Sequence, residues 1–249
     1  RLWAGPFLFD ASNSDGEPSA MMTMKRMTQR AALAAAMCLV SGWAYGQQWQ
    51  WAFQTGGVAV GTGIARDPAG NVYFTAGGGI TETAGVNKIV ANILGINAGG
   101  AVVANNTTNN VATLGASTTA GGIQYQDANA LTVGQVTATG NFAGATGLDS
   151  STTNGNVDVK TGGPLTLNND VNAGTGNAYF TSGGGITQGA AKILAATLSM
   201  NAAGAINVNN ANNDVTTLAA KTTVGGIAYQ DANTLTVGQV AASGTSPLT

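Results

Sequence analysis

The sequence contains no histidine and one cysteine, Cys38. Without histidine it lacks the side chain that titrates near neutrality and the usual nitrogen ligand of zinc. Cys38 lies in a segment expected to be removed on export, so the mature chain should have neither disulfide nor thiolate chemistry. Charge is equally scarce: 8% of residues are Asp, Glu, Lys or Arg, and the net charge is −2. That leaves no basic field for nucleic acid or an anionic membrane, and no acidic tail for a basic partner. Aromatic residues make up 6% and prolines number 5, while hydrophobic residues reach 44% and glycines 37. Disordered chains combine few aliphatics with much charge, and this composition is the reverse, so the chain is expected to fold.

What is present is repetition. The phrase GNVYFTAGGGI at residues 70–80 returns as GNAYFTSGGGI at 176–186, identical at nine of eleven positions and displaced by 106. Residues 111–136 match 215–240 at 20 of 26 positions with a displacement of 104. A shorter period lies inside the long one, since GNVDVKTGG at 155–163 aligns with GNAYFTSGG at 176–184. Short β-branched runs bounded by Gly and Asn read as strands, and a strand-rich period of about 21 residues is that of a stacked solenoid. The expected architecture is all-β, a right-handed parallel β-helix of about 21-residue coils, with about five coils to each long repeat. Residues 89–94 and 191–200 have some helix propensity, but their place in the repeat assigns them to strands.

The amino-terminal part reads differently. Residues 1–21 show no periodicity and receive no assigned structure. Residues 22–46 have a positive head at Lys25, Arg26 and Arg30, a ten-residue apolar stretch and a small-x-small site at Ala44, Tyr45 and Gly46, the pattern of a secretory signal peptide cleaved between Gly46 and Gln47. The apolar stretch is too short to span a bilayer, so no membrane span is expected in the mature chain. The assignment then runs through lead-in strands at 47–69, a first long repeat at 70–140, a loop and spacer coil at 141–175, and a second long repeat at 176–249. Residues 141–154 are expected to protrude as a loop.

Two resemblances follow from these phrases. Residues 49–75, with Trp49, Trp51 and the pattern GIARDPAGNVYFT, resemble one repeat of bacterial β-propeller proteins. One blade cannot close a propeller, so this implies only two strands joined by a turn at Asp67, Pro68, Ala69 and Gly70. The phrases LTLNNDVNAGTGN at 165–177, GGGITQ at 183–188 and DANTLTVG at 231–238 resemble the β-strand-repeat region of filamentous-haemagglutinin-like and autotransporter-type bacterial surface exoproteins, over roughly residues 70–244. That resemblance implies a parallel β-helix, secretion to the cell surface across an outer membrane, and an adhesin or matrix role toward host or matrix glycans or proteins. The expected function is a rod-like stalk or adhesive surface, a piece of a longer rod that, expressed alone, associates end to end or frays from Leu235 onward. A secreted propeller-type protein and a polysaccharide-degrading β-helix are the alternatives.

No catalytic, cofactor-binding or metal-binding residue is assigned. The triple glycines at 77–79 and 183–185 lack the Lys-Ser/Thr of a phosphate loop, so they are read as coil corners using positive φ. The Asn-rich runs at 105–110 and 209–214 lack the tandem glycine-aspartate pattern of calcium-binding β-rolls. They are read as turns and amide ladders, with Asp127, Asp214 and Asp231 the carboxylates within reach of a cation. The remaining charges fall singly along the chain, which argues against an enzyme. Tyr125 with Asp127, and Tyr229 with Asp231, are the candidate glycan or adhesive contacts, two copies that could act by avidity.

Overall fold

The structure, a computed structural model, describes residues 62–82 and 88–242. The upstream segment, the signal peptide with its cleavage point between Gly46 and Gln47, and the lead-in tryptophans lie outside the described residues. Strand Thr62–Arg66 pairs antiparallel with Val72–Ala76, Ile64 opposite Phe74. Asp67 fastens the turn between them: its Oδ1 accepts the Asn71 amide at 2.9 Å, and its Oδ2 accepts Asn71 Nδ2 and the Tyr73 hydroxyl at 2.7 and 3.0 Å. The two strands and the turn at Gly70, with φ +84°, stand where the sequence places them. The second strand is not part of a blade, however, because Val72–Ala76 goes on to pair in parallel with Val90–Ala98.

From there the chain is a parallel β-solenoid of about eight coils. One column of stacked strands runs Val72–Ala76, Val90–Ala98, Asn110–Thr118, Leu131–Val133, Leu165–Leu167, Ile186–Gln188, Ile206–Val208 and Ile227–Tyr229. The second runs Ile80–Thr81, Val102–Ala104, Ile123–Asp127, Val157–Thr161, Asn177–Ser182, Ile193–Ala202, Asp214–Thr222 and Thr236–Val237. A shorter ladder bridges the two, from Asn110–Thr118 through Leu148–Asp149 and Val171–Asn172 to Ile193–Ala202. Alternation along the short strands of the first column turns every second side chain inward, as in the buried ends and exposed middle of Ile206–Val208. Stacking then puts like on like. Leu131, Leu165, Ile186 and Ile206 form one interior row, which the exposed Ile227 continues at its end. Ala104, Tyr125, Val159, Phe180 and Met200 form another.

Strands of neighbouring coils pair at a nearly constant step in sequence, as Val157 with Ala178 and Leu165 with Ile186, but Ile123 reaches Val157 only after a much longer one. The extra length is a hairpin, Gln135–Val136 antiparallel to Ala145–Thr146, inserted between Leu131–Val133 and Leu148–Asp149. The insert folds back rather than protruding. Phe142 is 3% exposed and lies in a cluster with Tyr73, Val136 and Ala145, its ring 5.4 Å from that of Tyr73. A further difference concerns the long repeat. Val72 and its sequence partner Ala178 belong to different columns, because the chain between them completes four coils and part of another, not five.

The corner glycines are required for a different reason from the one expected. No residue of 77–79 or 183–185 has positive φ. Instead, a Cβ on Gly183 would sit on the Gly162 carbonyl, and one on Gly99 on that of Gly77, so these corners stack too closely for any side chain. The asparagines likewise act mainly on backbone. Asn156 Oδ1 accepts the Asn177 amide at 3.0 Å, and Asn154 Oδ1 accepts the Thr175 amide at 2.9 Å, each tying one coil to the next in place of an amide ladder.

Candidate functional site: an acidic corner groove

Asp149, Asp170, Lys192 and Asp214 look scattered in sequence, yet each follows the last by one coil period. The fold therefore brings them to one corner, where they line two adjoining shallow depressions of about 520 and 280 Å³ that share Asp170, Lys192 and Leu194. The register is direct: Asp149 lies opposite Asn172, Asn172 opposite Leu194, and Leu194 opposite Asp214. Asn210 and Asn212 complete the polar lining of the larger depression. Reading the charges as single scattered positions missed this cluster, and the signal that would have found it is the coil step already visible in the glycines.

Two of these carboxylates also have structural work. Asp149 Oδ1 accepts the Ser151 amide and hydroxyl at 2.9 and 2.7 Å, and Asp170 Oδ1 accepts the Lys192 amide at 2.9 Å. The lining of both depressions contains no aromatic ring, so the groove lacks the flat apolar platform on which sugars stack. It can offer hydrogen bonds and a mixed charge to a polar ligand.

The first Tyr-Asp pair does not form a contact face. Ile123, Tyr125 and Asp127 are the inward residues of their strand, Tyr125 at 0% and Asp127 at 2% exposure. The Tyr125 hydroxyl donates to Asp127 Oδ2 at 3.0 Å, Oδ2 also accepts the Val111 amide, and Oδ1 accepts the Asn129 amide, each at 2.9 Å. Burial pushes the Tyr125 hydroxyl well above its usual range, helped by the Asp127 charge. Burial also raises Asp127, against the hydrogen bonds that favour its ionised form. Asp231 repeats the pattern with Tyr229 at 2.7 Å, Val215 at 3.2 Å and Asn233 at 3.0 Å. Burial and the bond to Asp231 raise Tyr229 too, though both residues are half-exposed because no described coil stacks on them. The shared motif is therefore a brace that ties a strand end to the coil before it, and the glycan-contact expectation fails at Tyr125 and Asp127 for want of surface.

No family model matches the chain, and no curated protein or solved structure matches it. Among the described residues no helix is long and apolar enough to cross a membrane, and no three His, Cys, Asp or Glu side chains gather where they could hold a metal ion.

Proposed function

We propose that the chain is a rod-like repeat region of a secreted bacterial cell-surface exoprotein, a stalk or adhesive surface without catalysis. The observation that supports it most is the unbroken stacking of eight strands in each column, with carboxylates such as Asp127, Asp170 and Asp231 bound to backbone amides. Seven spacings of about 4.8 Å give the described coils a length of about 34 Å. Partners of this reading are host or matrix glycans or proteins met along the rod. Its test is a polysaccharide panel and a glycan and matrix-protein array probed with the purified chain. Binding without turnover supports it, and turnover abolished by Asp170→Asn overturns it in favour of a polysaccharide-degrading β-helix that uses the acidic groove.

The same proposal includes end-to-end association. Ile227 and Val237 are 45% and 78% exposed, whereas their repeat partners Ile123 and Val133 are at 1% and 0% under Val157–Thr161 and Leu165–Leu167. A second copy presenting a coil would cover them in the same way, by parallel strand addition. Sedimentation over rising concentration should show oligomers that Ile227→Lys with Val237→Lys abolishes. A monomer throughout would refute this part and leave the rod intact.

A further inference from the structure

The two long repeats contain the same buried polar corner with one chemical difference. In the second copy Gln188 Oε1 accepts the Asn210 amide at 3.0 Å and Asn213 Nδ2 at 3.2 Å, and Gln188 Nε2 donates to Asn213 Oδ1 at 2.7 Å. Asn213 Oδ1 also accepts the Ile193 amide at 2.9 Å. In the first copy Glu82 stands in place of Gln188. Its Oε2 accepts the Asn106 amide at 3.1 Å and Asn109 Nδ2 at 2.9 Å, and Asn109 Oδ1 accepts the Ile89 amide at 2.7 Å. Each bond has its counterpart except the one from the Gln188 amide nitrogen. Glu82 Oε1, in the role of that nitrogen, is buried with no partner, in a residue 7% exposed.

A carboxylate oxygen in that role meets the oxygen of Asn109, an acceptor against an acceptor. We infer that Glu82 is held as the neutral carboxylic acid, its Oε1–H donating to Asn109 Oδ1, so that this corner binds a proton where its repeat has an amide. Protonation completes the network with no other change, because a carboxylic acid has the shape of the glutamine amide and carries one donor and one acceptor. Among the described residues the surroundings offer no counter-charge. The Tyr125 hydroxyl is near enough to feel the Glu82 charge and itself donates to Asp127, while Lys88 is exposed. Burial accordingly raises the carboxyl above its ordinary 4.5, against the bonds from Asn109 and Asn106.

The sign follows. A glutamate whose folded pKa lies above its unfolded one binds more protons folded, so its stabilisation is complete below 4.5 and is lost as pH rises through the raised folded value. The corner is then a joint that loosens on the alkaline side. Asn106 and Ile89 are the amides released, and their counterparts Asn210 and Ile193 are internal references within the same molecule.

The test compares the full chain with Glu82→Gln and Gln188→Glu by urea unfolding from about pH 4 to about pH 9. Relative to Glu82→Gln, the wild-type unfolding constant should rise roughly tenfold per pH unit between 4.5 and the folded pKa, and Gln188→Glu should add a second such dependence. Hydrogen exchange at Ile89 and Asn106 should accelerate with pH relative to Ile193 and Asn210, and Glu82→Gln should remove the difference. An infrared carbonyl band of a protonated carboxyl above pH 4.5 should vanish in the same variant. Parallel pH profiles for wild type and Glu82→Gln overturn the inference. If that variant does not fold, absence of the band in wild type, or a Gln188→Glu profile parallel to wild type, overturns it.

Discussion

The folded-back insert makes a prediction that separates local from global stability. Phe142→Ala removes a ring that buries on the order of 150 Å² or more, about 4 kcal/mol at 25 cal/mol per Å². The hairpin that carries it pairs with neither main column, so the loss should fall on docking of the insert and not on the stack. A docking loss of about 3 kcal/mol raises the open population by roughly two orders of magnitude. Thr139 and Phe142 donate their amides to each other's carbonyls at 3.0 and 2.9 Å, so their hydrogen exchange reads that opening directly. Exchange at both should accelerate by about that factor. Protease nicking near Asn141 should appear, while the global urea midpoint moves little. Gly95→Ser gives a second view, since a Cβ at Gly95 would come within 2.6 Å of the Phe142 ring. The ring tip can shift, so a smaller loss of about 1 to 2 kcal/mol is expected. Unchanged exchange and proteolysis in Phe142→Ala would show that the insert stands free of the stack and that its burial plays no part in holding it.

Other substitutions test other layers of the fold. Gly183→Ala should destabilise the chain by about 1 to 3 kcal/mol in urea unfolding, because the new methyl meets the Gly162 carbonyl, which is backbone and cannot turn away. Asn213→Ala removes the acceptor of the buried Ile193 amide and the partner of Gln188, and should cost about 2 to 4 kcal/mol by the same measurement. Tyr125→Phe strips a donor from the buried Asp127, whereas Tyr229→Phe strips one from the half-exposed Asp231, where water can replace it. The first should lose about 1 to 3 kcal/mol and the second less than about 1 kcal/mol, and equal losses would refute the contrast in burial.

The period, the strands and the Asp67 turn were legible because each rests on local chemistry. Glycine and asparagine mark corners, β-branched runs mark the strands between them, and the coil step needs only alignment. The insert was not legible, because Val136 and Phe142 bury themselves against Gly95 and Gly115, residues distant in sequence. A trace of it exists all the same. Gly95 and Gly115 lie in mid-strand, where glycine is unfavourable, and their repeat partners are Ser199 and Ala219. The strand itself thus tolerates a Cβ there, and the hairpin docked on the first copy does not. The acidic groove was missed by counting charges along the chain instead of modulo the coil, and Tyr125 was misplaced because its strand's inward set was not fixed by an aromatic beside two polar residues.

The part-coil in the long repeat decides what two copies of one sequence can do together. Had the repeat closed after whole coils, equivalent residues would line one face and could engage a single extended ligand. Instead Val72 stands in one column and Ala178 in the other, about 20 Å along the axis at about 4.8 Å per coil. Tyr125 and Tyr229 are divided in the same way, the first stacked under Val159 and the second over Val208. A flat partner can therefore not meet both copies of these strands at once, and the gain from two-point attachment, which requires geometry that lets both sites be occupied together, is closed to it there. The arrangement would suit partners on different sides of the stack. If the repeats carry an adhesive surface, they display it in more than one direction from a single stack, a property of a connector between structures rather than of a clamp upon one.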